Sequence, residues 1–325
     1  MKKALIITGP TATGKTSLAQ KVAKQVNGAL ISADSIQVYK GCDIISGKDI
    51  PKDAIFTKEQ VTDIPSYFEI GKWEIKNIPL YLTDVADPTH NFSVADFLNL
   101  SEKFLELTRE KGKVPIFVGG TTLYVRALLE KIDTISIPPD FTLRDRLAGA
   151  SVEELQGLLA KYDKERLAEM NDSDINNSRR LVRAIEVAKT RNNHQETNRS
   201  ILSEYYFLTI GLESPRDILK EKIDIRVNNR IENGAFEEAK ILYKKYDSLS
   251  ENVKNANGYR QLFNNLDGKI TKNDAIQKWK NSEYLHAKNQ MTFFKKMSQI
   301  EWYSTEGENY PNNTIEKVKN WLQHK

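Results

Sequence analysis

The chain has 325 residues, 39% hydrophobic and 28% charged, the balance of a globular protein with room for one large domain or two moderate ones. Its 48 basic and 44 acidic side chains leave a net charge of +4, which permits a nucleic-acid partner without demanding one. The single cysteine, Cys42, excludes an internal disulfide, no Cys/His cluster suggests zinc, and no apolar run is long enough to cross a bilayer, so the expected setting is the cytoplasm, away from membranes.

Residues 4–8, Ala-Leu-Ile-Ile-Thr, predict a strand, and Leu18, Val22 and Val26 carry the spacing of a helix. Between them Gly9, Pro10, Thr11, Ala12, Thr13, Gly14, Lys15 and Thr16 satisfy G-x-x-x-x-G-K-[ST], the phosphate-binding P-loop. Its glycines let backbone N–H groups turn toward oxygen anions, and the helix start adds its positive dipole end. Lys15 is placed for the terminal phosphates and the Thr16 hydroxyl for a Mg²⁺ ion. The apolar run before the loop, which starts after Met1-Lys2-Lys3, is too short for a signal peptide.

A second strand is expected at 29–33, ending in Asp34-Ser35-Ile36-Gln37-Val38-Tyr39. Ligands of open α/β sheets sit beyond the carboxyl ends of the strands, so Asp34 leaves its strand on the P-loop edge. There it either faces a substrate or caps a short helix. Residues 41–77 read as a polar surface excursion with room for a short hairpin, followed by a strand at 80–85. Ser93, with Asp96 at the capping-box position, starts a helix that runs to about Lys111. Residues 114–118 are continuously apolar, as a central parallel strand requires, and Gly119-Gly120-Thr121-Thr122 follows at its carboxyl end before a helix at 123–131. This alternation predicts an α/β fold, a P-loop doubly wound parallel sheet.

After Ile137-Pro138-Pro139 only helices are expected to about residue 191, including a capping box at Ser151 and Glu154 and a helix at 176–189 that carries Arg179, Arg180 and Arg183. A strand returns at 205–211, and helices are expected at 216–233, 236–246 and 274–297. The chain therefore divides into a first part of the P-loop core (1–136), a helical insertion (137–203) and a second part of the core with a helical C-terminal region (204–325). Pro138-Pro139 and the polar stretch 192–200 read as hinges of the insertion. Residues 281–296 interleave Tyr284, His286, Phe293 and Phe294 with Lys288, Lys295 and Lys296. That pattern suits stacked bases and phosphates, and equally an amphipathic helix with solvated lysines.

A P-loop by itself leaves the reaction open, because kinases, ATPases and some enzymes that bind no nucleotide share it, so ATP-binding is one expectation among several. Read together, Gly9–Thr16, the Asp34–Gly41 stretch, Phe92-Ser93-Val94-Ala95-Asp96-Phe97 and Gly119-Gly120-Thr121-Thr122-Leu123-Tyr124 resemble the ordered motifs of the tRNA dimethylallyltransferase (IPP transferase) family. The resemblance continues through residues 179–187, Gly258-Tyr259-Arg260-Gln261 and residues 287–295. It implies transfer of a dimethylallyl group from dimethylallyl diphosphate to the N6 amine of the adenosine 3′ of the anticodon. Asp34 matches the family's general base, Thr121 its adenosine-contacting threonine, and Arg226 its diphosphate-binding arginine; Mg²⁺ is the implied cofactor. Asp34, Ser35, Ile36, Gln37, Thr121, Arg144, Arg179, Arg180, Arg183, Gly258, Tyr259, Arg260, Gln261, Lys288, Gln290 and Lys295 match segments that contact the tRNA anticodon stem-loop. From the residues alone, Arg183 is as well placed to pair with Glu186. The chain departs from the family pattern at Asn177, at Asn289 and Phe293, and at Gly47-Lys48-Asp49, and its 57–77 excursion is longer than usual. A monomer is expected. An adenylate isopentenyltransferase, a small-molecule kinase and a non-catalytic P-loop module are the competing readings.

Overall fold

The computed structural model describes residues 2–190 and 201–324. Residues 191–200, which contain the stretch expected as a second hinge, lie outside the described residues. The described chain forms two compact units, residues 1–130 with 201–325, and residues 131–200.

The larger unit is built on an eight-stranded sheet with strands β1 (Lys2–Thr8), β2 (Gly28–Ser32), β3 (Ile55–Lys58), β4 (Gly71–Ile75), β5 (Ile78–Tyr81), β6 (Val114–Val118), β7 (Tyr205–Glu213) and β8 (Ile300–Ser304). Their spatial order is β3-β4-β5-β2-β6-β1-β7-β8, and all neighbours from β5 to β8 are parallel. Strand β1 explains why the sheet needs cover on both faces. Ala4 and Ile6 enter one apolar cluster, while Leu5 and Ile7 enter the other, and all four are fully buried. Leu18 and Val22 of the Lys15–Val26 helix and Val318 of the Asn312–Gln323 helix cover the Leu5 side. The Val94–Glu110, Arg216–Glu232 and Lys272–Phe294 helices cover the Ile6 side through Phe97, Phe104, Val227, Trp279 and Phe294.

The 41–77 excursion does more than cross the surface. β3, β4 and β5 form an antiparallel meander that extends the parallel sheet at one edge. The β4–β5 turn consists of Lys76 and Asn77, both with positive φ, which is the two-residue hairpin geometry without its usual Asn-Gly signature. The strand expected at 80–85 ends at Tyr81 because Leu82 and Asp84 turn left-handed, at φ 61° and 58°. Asp84 is held there by Lys48 and by the Trp73 Nε1–H, at 2.9 Å. The C-terminal region is likewise not wholly helical, since β8 adds a parallel strand beside β7. The two expected capping boxes form, Ser93 with Asp96 and Ser151 with Glu154.

The smaller unit is helical and packs Leu143, Leu155, Leu159, Leu181 and Ile185 into its own core. One carboxylate organises its polar side. Glu186 is 1% exposed. It accepts from Arg144 Nε at 2.6 Å, Arg183 NH1 at 2.9 Å and the Asp140 backbone N–H at 3.1 Å. Burial alone would raise its pKa, but the Arg144 and Arg183 hydrogen bonds outweigh it and hold the carboxyl below its ordinary value. Arg183 NH2 also donates to the Thr134 and Ile137 carbonyls, at 2.5 and 2.7 Å. Arg183 thus ties its helix to the preceding turn. Replacing Glu186 with Ala leaves two guanidiniums without their partner, and loss of about 1–3 kcal/mol is expected, toward the lower end because both arginines reach solvent. Because the folded carboxyl titrates below the unfolded one, this contribution is complete above the ordinary Glu range and fades as pH falls through the folded pKa. Thermal melts of wild type and Glu186→Ala at pH 7 and in acid check this: the gap between them should narrow in acid.

Candidate active site

Three neighbouring strands, β2, β6 and β1, end at one level, with Ser32 and Ile7 both registered against Val118. Each is followed by a loop that carries a candidate site residue. The β1 loop is the P-loop. Ala12 and Gly14 take positive φ, 63° and 80°, and Gly14 caps the Lys15–Val26 helix without a side-chain acceptor, leaving the first helical N–H groups to an anion. Thr13 Oγ1 and Lys15 Nζ both donate to the Pro10 carbonyl, at 2.8 and 2.7 Å, which folds the loop over itself. Thr16 is exposed on the first turn of the helix.

The β2 loop carries Asp34. Its Oδ1 accepts the Ile36 and Gln37 backbone N–H groups at 2.9 and 3.2 Å, the expected capping role. Among the described residues Oδ2 has no hydrogen-bonded partner. Gln37 is fixed in turn between Ser32 Oγ (3.1 Å) and the Gly47 carbonyl (3.0 Å). The β6 loop carries Thr121, whose Oγ1 accepts the Ser35 backbone N–H at 3.0 Å. Gly120 lets the loops close up: a Cβ there would stand 2.6 Å from Gln290 Nε2 and 3.3 Å from the Gly9 carbonyl oxygen, so the Gln290 side chain would have to move.

Helices behind the sheet edge complete the site. Arg226 NH1 donates to Thr11 Oγ1 at 2.8 Å. One turn later, Arg230 is buried beside Glu283 (3.7 Å), donates to the Ser46 carbonyl and lies near the Trp279 ring. Its Nε is buried without a hydrogen-bond partner among the described residues. Gly47 packs so closely on both guanidiniums that a Cβ would strike them. Burial and the Arg226 charge push Lys15 down to about 7, against partial compensation from Asp34 and Glu283. Burial and Arg226 also lower Arg230 to about 10. Two buried cations lowered by burial and by a third cation beside them, in a cleft, mark a candidate functional site that suits an anion.

Arg230 and Glu283 were not singled out from sequence. Their signal lies in two stripes: Arg230 ends the buried row Leu219, Ile223, Val227 of one helix, and Glu283 and Gln290 interrupt the buried row Ala275, Trp279, Ala287, Phe294 of another. Of the residues matched to RNA-contacting segments, Arg260 and Lys288 are exposed on the larger unit, and Arg179 is exposed on the smaller. Lys295 pairs with Glu213 at 2.8 Å and lies over the Trp302 ring. Arg180 pairs with Asp174, and Arg144 and Arg183 converge on Glu186. Gly258, Tyr259 and Gln261 are buried. Gln261 Oε1 accepts from the Gly258 N–H, and the Tyr259 hydroxyl donates to Glu238. Glu238 in turn accepts the N–H groups of Asp43, Ile44 and Ile45, fixing the loop that presents Gly47 to the arginines. Cys42, with its thiol pushed up to about 12 by burial, is inert.

The family model for IPP transferase matches residues 37–297, and that for isopentenyl transferase matches residues 2–60. The chain belongs to the IPP transferase family. A tRNA dimethylallyltransferase of Halalkalibacterium halodurans is 34% identical over 93% of this chain and 91% of its own length. One of Bacillus subtilis is 33% identical over 92% and 90%. The crystal structure of a full-length tRNA isopentenylpyrophosphate transferase from Bacillus halodurans superimposes with a TM-score of 0.67 at 31% identity, covering 99% of this chain and 96% of that one. No described helix is long and apolar enough to cross a membrane.

The metal question has a chemical answer in the donor set. Among the described residues no cluster of three or more His, Cys, Asp or Glu side chains could hold an ion. The Thr16 hydroxyl is a hard oxygen donor beside the loop, which fits a Mg²⁺ that arrives with phosphate oxygens and keeps its waters.

The Lys15 shift has a testable sign. Lys15 is largely neutral in the free protein above about pH 7. A bound diphosphate stabilises its charged form, so binding takes up a proton there and affinity falls as pH rises through this value. Titration calorimetry of dimethylallyl diphosphate at pH 8, in two buffers of different ionisation enthalpy, should show uptake approaching about one proton per site. The uptake should vanish in Lys15→Met.

Proposed function

We propose that this protein transfers the dimethylallyl group of dimethylallyl diphosphate to the exocyclic N6 amine of the adenosine 3′-adjacent to the anticodon of a tRNA. The observation that carries the reading is the meeting of two kinds of chemistry at one sheet edge. An anion cradle with Lys15 and Arg226 ends β1, and a carboxylate with a free oxygen, Asp34, ends β2. Thr121 ends β6 between them and is hydrogen-bonded to the Asp34 loop. A phosphoryl-transfer site needs the first; alkylation of a weakly basic amine needs both.

In this reading the diphosphate lies on the P-loop amides with Lys15 and Arg226 on its oxygens. Negative charge grows on it as the allylic carbon–oxygen bond breaks, and fixed donors in a partly dry site stabilise that charge without reorganising. A Mg²⁺ held through Thr16 would supply further charge neutralisation to the leaving group. The amine nitrogen forms the new carbon–nitrogen bond, the electron pair of the broken bond departs with diphosphate, and the surplus N6 proton passes to Asp34 Oδ2. Thr121 holds the acceptor loop in register. Reaching the site requires the target base to leave its stack, for which the family's substrate, an anticodon loop, has a low penalty.

RNA contacts are proposed on exposed Arg260 and Lys288 of the larger unit and on Arg179 and Arg180 of the smaller one. Arg144 and Arg183 act from behind, tying the Phe141–Arg146 helix to the Ser178–Thr190 helix through Glu186. Arg183→Ala should accordingly lower the melting temperature while leaving the salt slope of tRNA binding parallel to wild type. Arg260→Ala should flatten that slope by roughly 0.7–0.9 per lost phosphate contact.

The deciding assay uses labelled dimethylallyl diphosphate with unmodified tRNA, AMP or no acceptor, followed by nucleoside analysis. Label on N6 of one tRNA adenosine is expected; label on AMP alone, or none, overturns the reading. Asp34→Asn keeps the Oδ1 cap and removes the base. It should lower the single-turnover rate about 10²–10⁴-fold with diphosphate binding intact. A rate within a few-fold of wild type would remove Asp34 from the mechanism.

A further inference from the structure

Gln290 stands seven residues beyond Glu283 on the Lys272–Phe294 helix and is 5% exposed, the second polar residue of a buried stripe. Its side-chain amide reaches two loops at once. Oε1 accepts the backbone N–H of Thr11, in the P-loop, at 2.9 Å, and Nε2 donates to the carbonyl of Gly120, in the β6 loop, at 2.6 Å. The last direct links between these loops lie lower, where the Gly119 N–H meets the Ile7 carbonyl at 3.2 Å and Thr8 Oγ1 meets the Gly119 carbonyl at 2.9 Å. Beyond that point the loops separate, and Gln290 spans them.

What hangs on each end gives the bridge its meaning. Thr11 also accepts from Arg226, so one end is fixed to the leaving-group side. Gly120 precedes Thr121, which holds the Ser35 N–H, and the Asp34 carboxylate caps the same turn. The hydrogen bonds thus run from Arg226 and Thr11 through Gln290 to Gly120, Thr121 and the Asp34 loop. The Thr11 N–H is directed to Gln290 rather than to an anion. An amide offers an acceptor and a donor on two atoms of one side-chain end, so it can meet an N–H of one loop and a carbonyl of the other; a carboxylate lacks the donor and an ammonium the acceptor.

We propose that Gln290 is a positioning residue that sets the distance between the diphosphate cradle and the acceptor-base loop, and that it is not an RNA contact. This rests on the functional reading above. Reactions between two bound partners depend steeply on such distances, and a displacement of about 1 Å can lower the rate about 10²-fold.

The test compares Gln290→Glu and Gln290→Leu with wild type in the full chain. Gln290→Glu keeps the acceptor for Thr11 and loses the donor for Gly120. Gln290→Leu loses both. Three quantities are read for each folded variant: the single-turnover rate at saturating dimethylallyl diphosphate and tRNA, the two dissociation constants, and the salt slope of tRNA binding. The proposal expects a saturated rate about 10²-fold lower in both variants, with the tRNA dissociation constant within a few-fold of wild type and parallel salt slopes; the charge added in Gln290→Glu also weakens dimethylallyl diphosphate, which saturation removes from the rate. If Gln290→Leu does not fold, Gln290→Glu decides alone, and if neither folds, Gln290→Asn, which keeps both groups on a shorter arm, takes the same measurements. A weaker tRNA constant with a flattened slope and an unchanged saturated rate overturns the proposal in favour of an RNA contact. A lower melting temperature with an unchanged saturated rate overturns it in favour of a purely structural role. A wild type that transfers nothing to tRNA overturns the functional reading and this role together, whereas active wild type with equally active variants overturns this role alone.

Discussion

Holding several positive charges together in a half-dry pocket is the constraint on which the rest of this structure depends. Burial and then the Arg226 charge bring Lys15 to about 7 and Arg230 to about 10. Burial of like charges is tolerable only with counter-charges and fixed dipoles nearby. Glu283 supplies one from the helix behind, and Asp34 another from the β2 loop. The two carboxylates do different work. Glu283 is buried against Arg230 and Trp279, whereas Asp34 keeps one oxygen uncommitted at the open edge.

The surroundings of the site serve to keep those charges in place. Glu238 gathers three backbone N–H groups of the loop at Asp43–Ile45, and that loop brings Gly47 flat against both guanidiniums. Lys48, in the same loop, is buried with its ammonium on the Tyr39 carbonyl, Asp43 and Asp84, which joins the loop to the end of β5. Gly47-Lys48-Asp49 therefore combines a buried lysine with a close approach to the arginines. The antiparallel meander β3–β5 supplies Trp73 to Asp84 and so steadies this end of the sheet edge.

The smaller unit inverts the arrangement. There one buried carboxylate, Glu186, serves two arginines, and the charges that remain exposed lie on the helix surface around Arg179. Arg144 and Arg183 illustrate how basic residues can act on the frame of their own unit. Their guanidiniums are spent on carboxylate and carbonyl oxygens, and what they provide is a rigid frame.

Much of this was legible in the sequence because it is local. The P-loop depends on glycine spacing and a following amphipathic turn, and the central strands on continuous apolar runs. The capping boxes at Ser93 and Ser151 depend on residues three apart, so each could be read within a short window. Asp34, Thr121 and Arg226 were reached through resemblance, and the alternation of strand and helix placed the first two on the P-loop edge. The meander turn at Lys76-Asn77, the strand Ile300–Ser304 and the early end of β5 were missed. Each is set by pairing or by left-handed residues without the usual glycine. The same reason governs the site. Helical periodicity assigned the Gln290 helix an inner face but could not say that this face meets an open N–H of one loop and a carbonyl of another. The partners of Arg230, Glu283, Arg183 and Gln290 lie on other elements, and only the tertiary structure decides which unpaired backbone group or charge a buried polar side chain will meet.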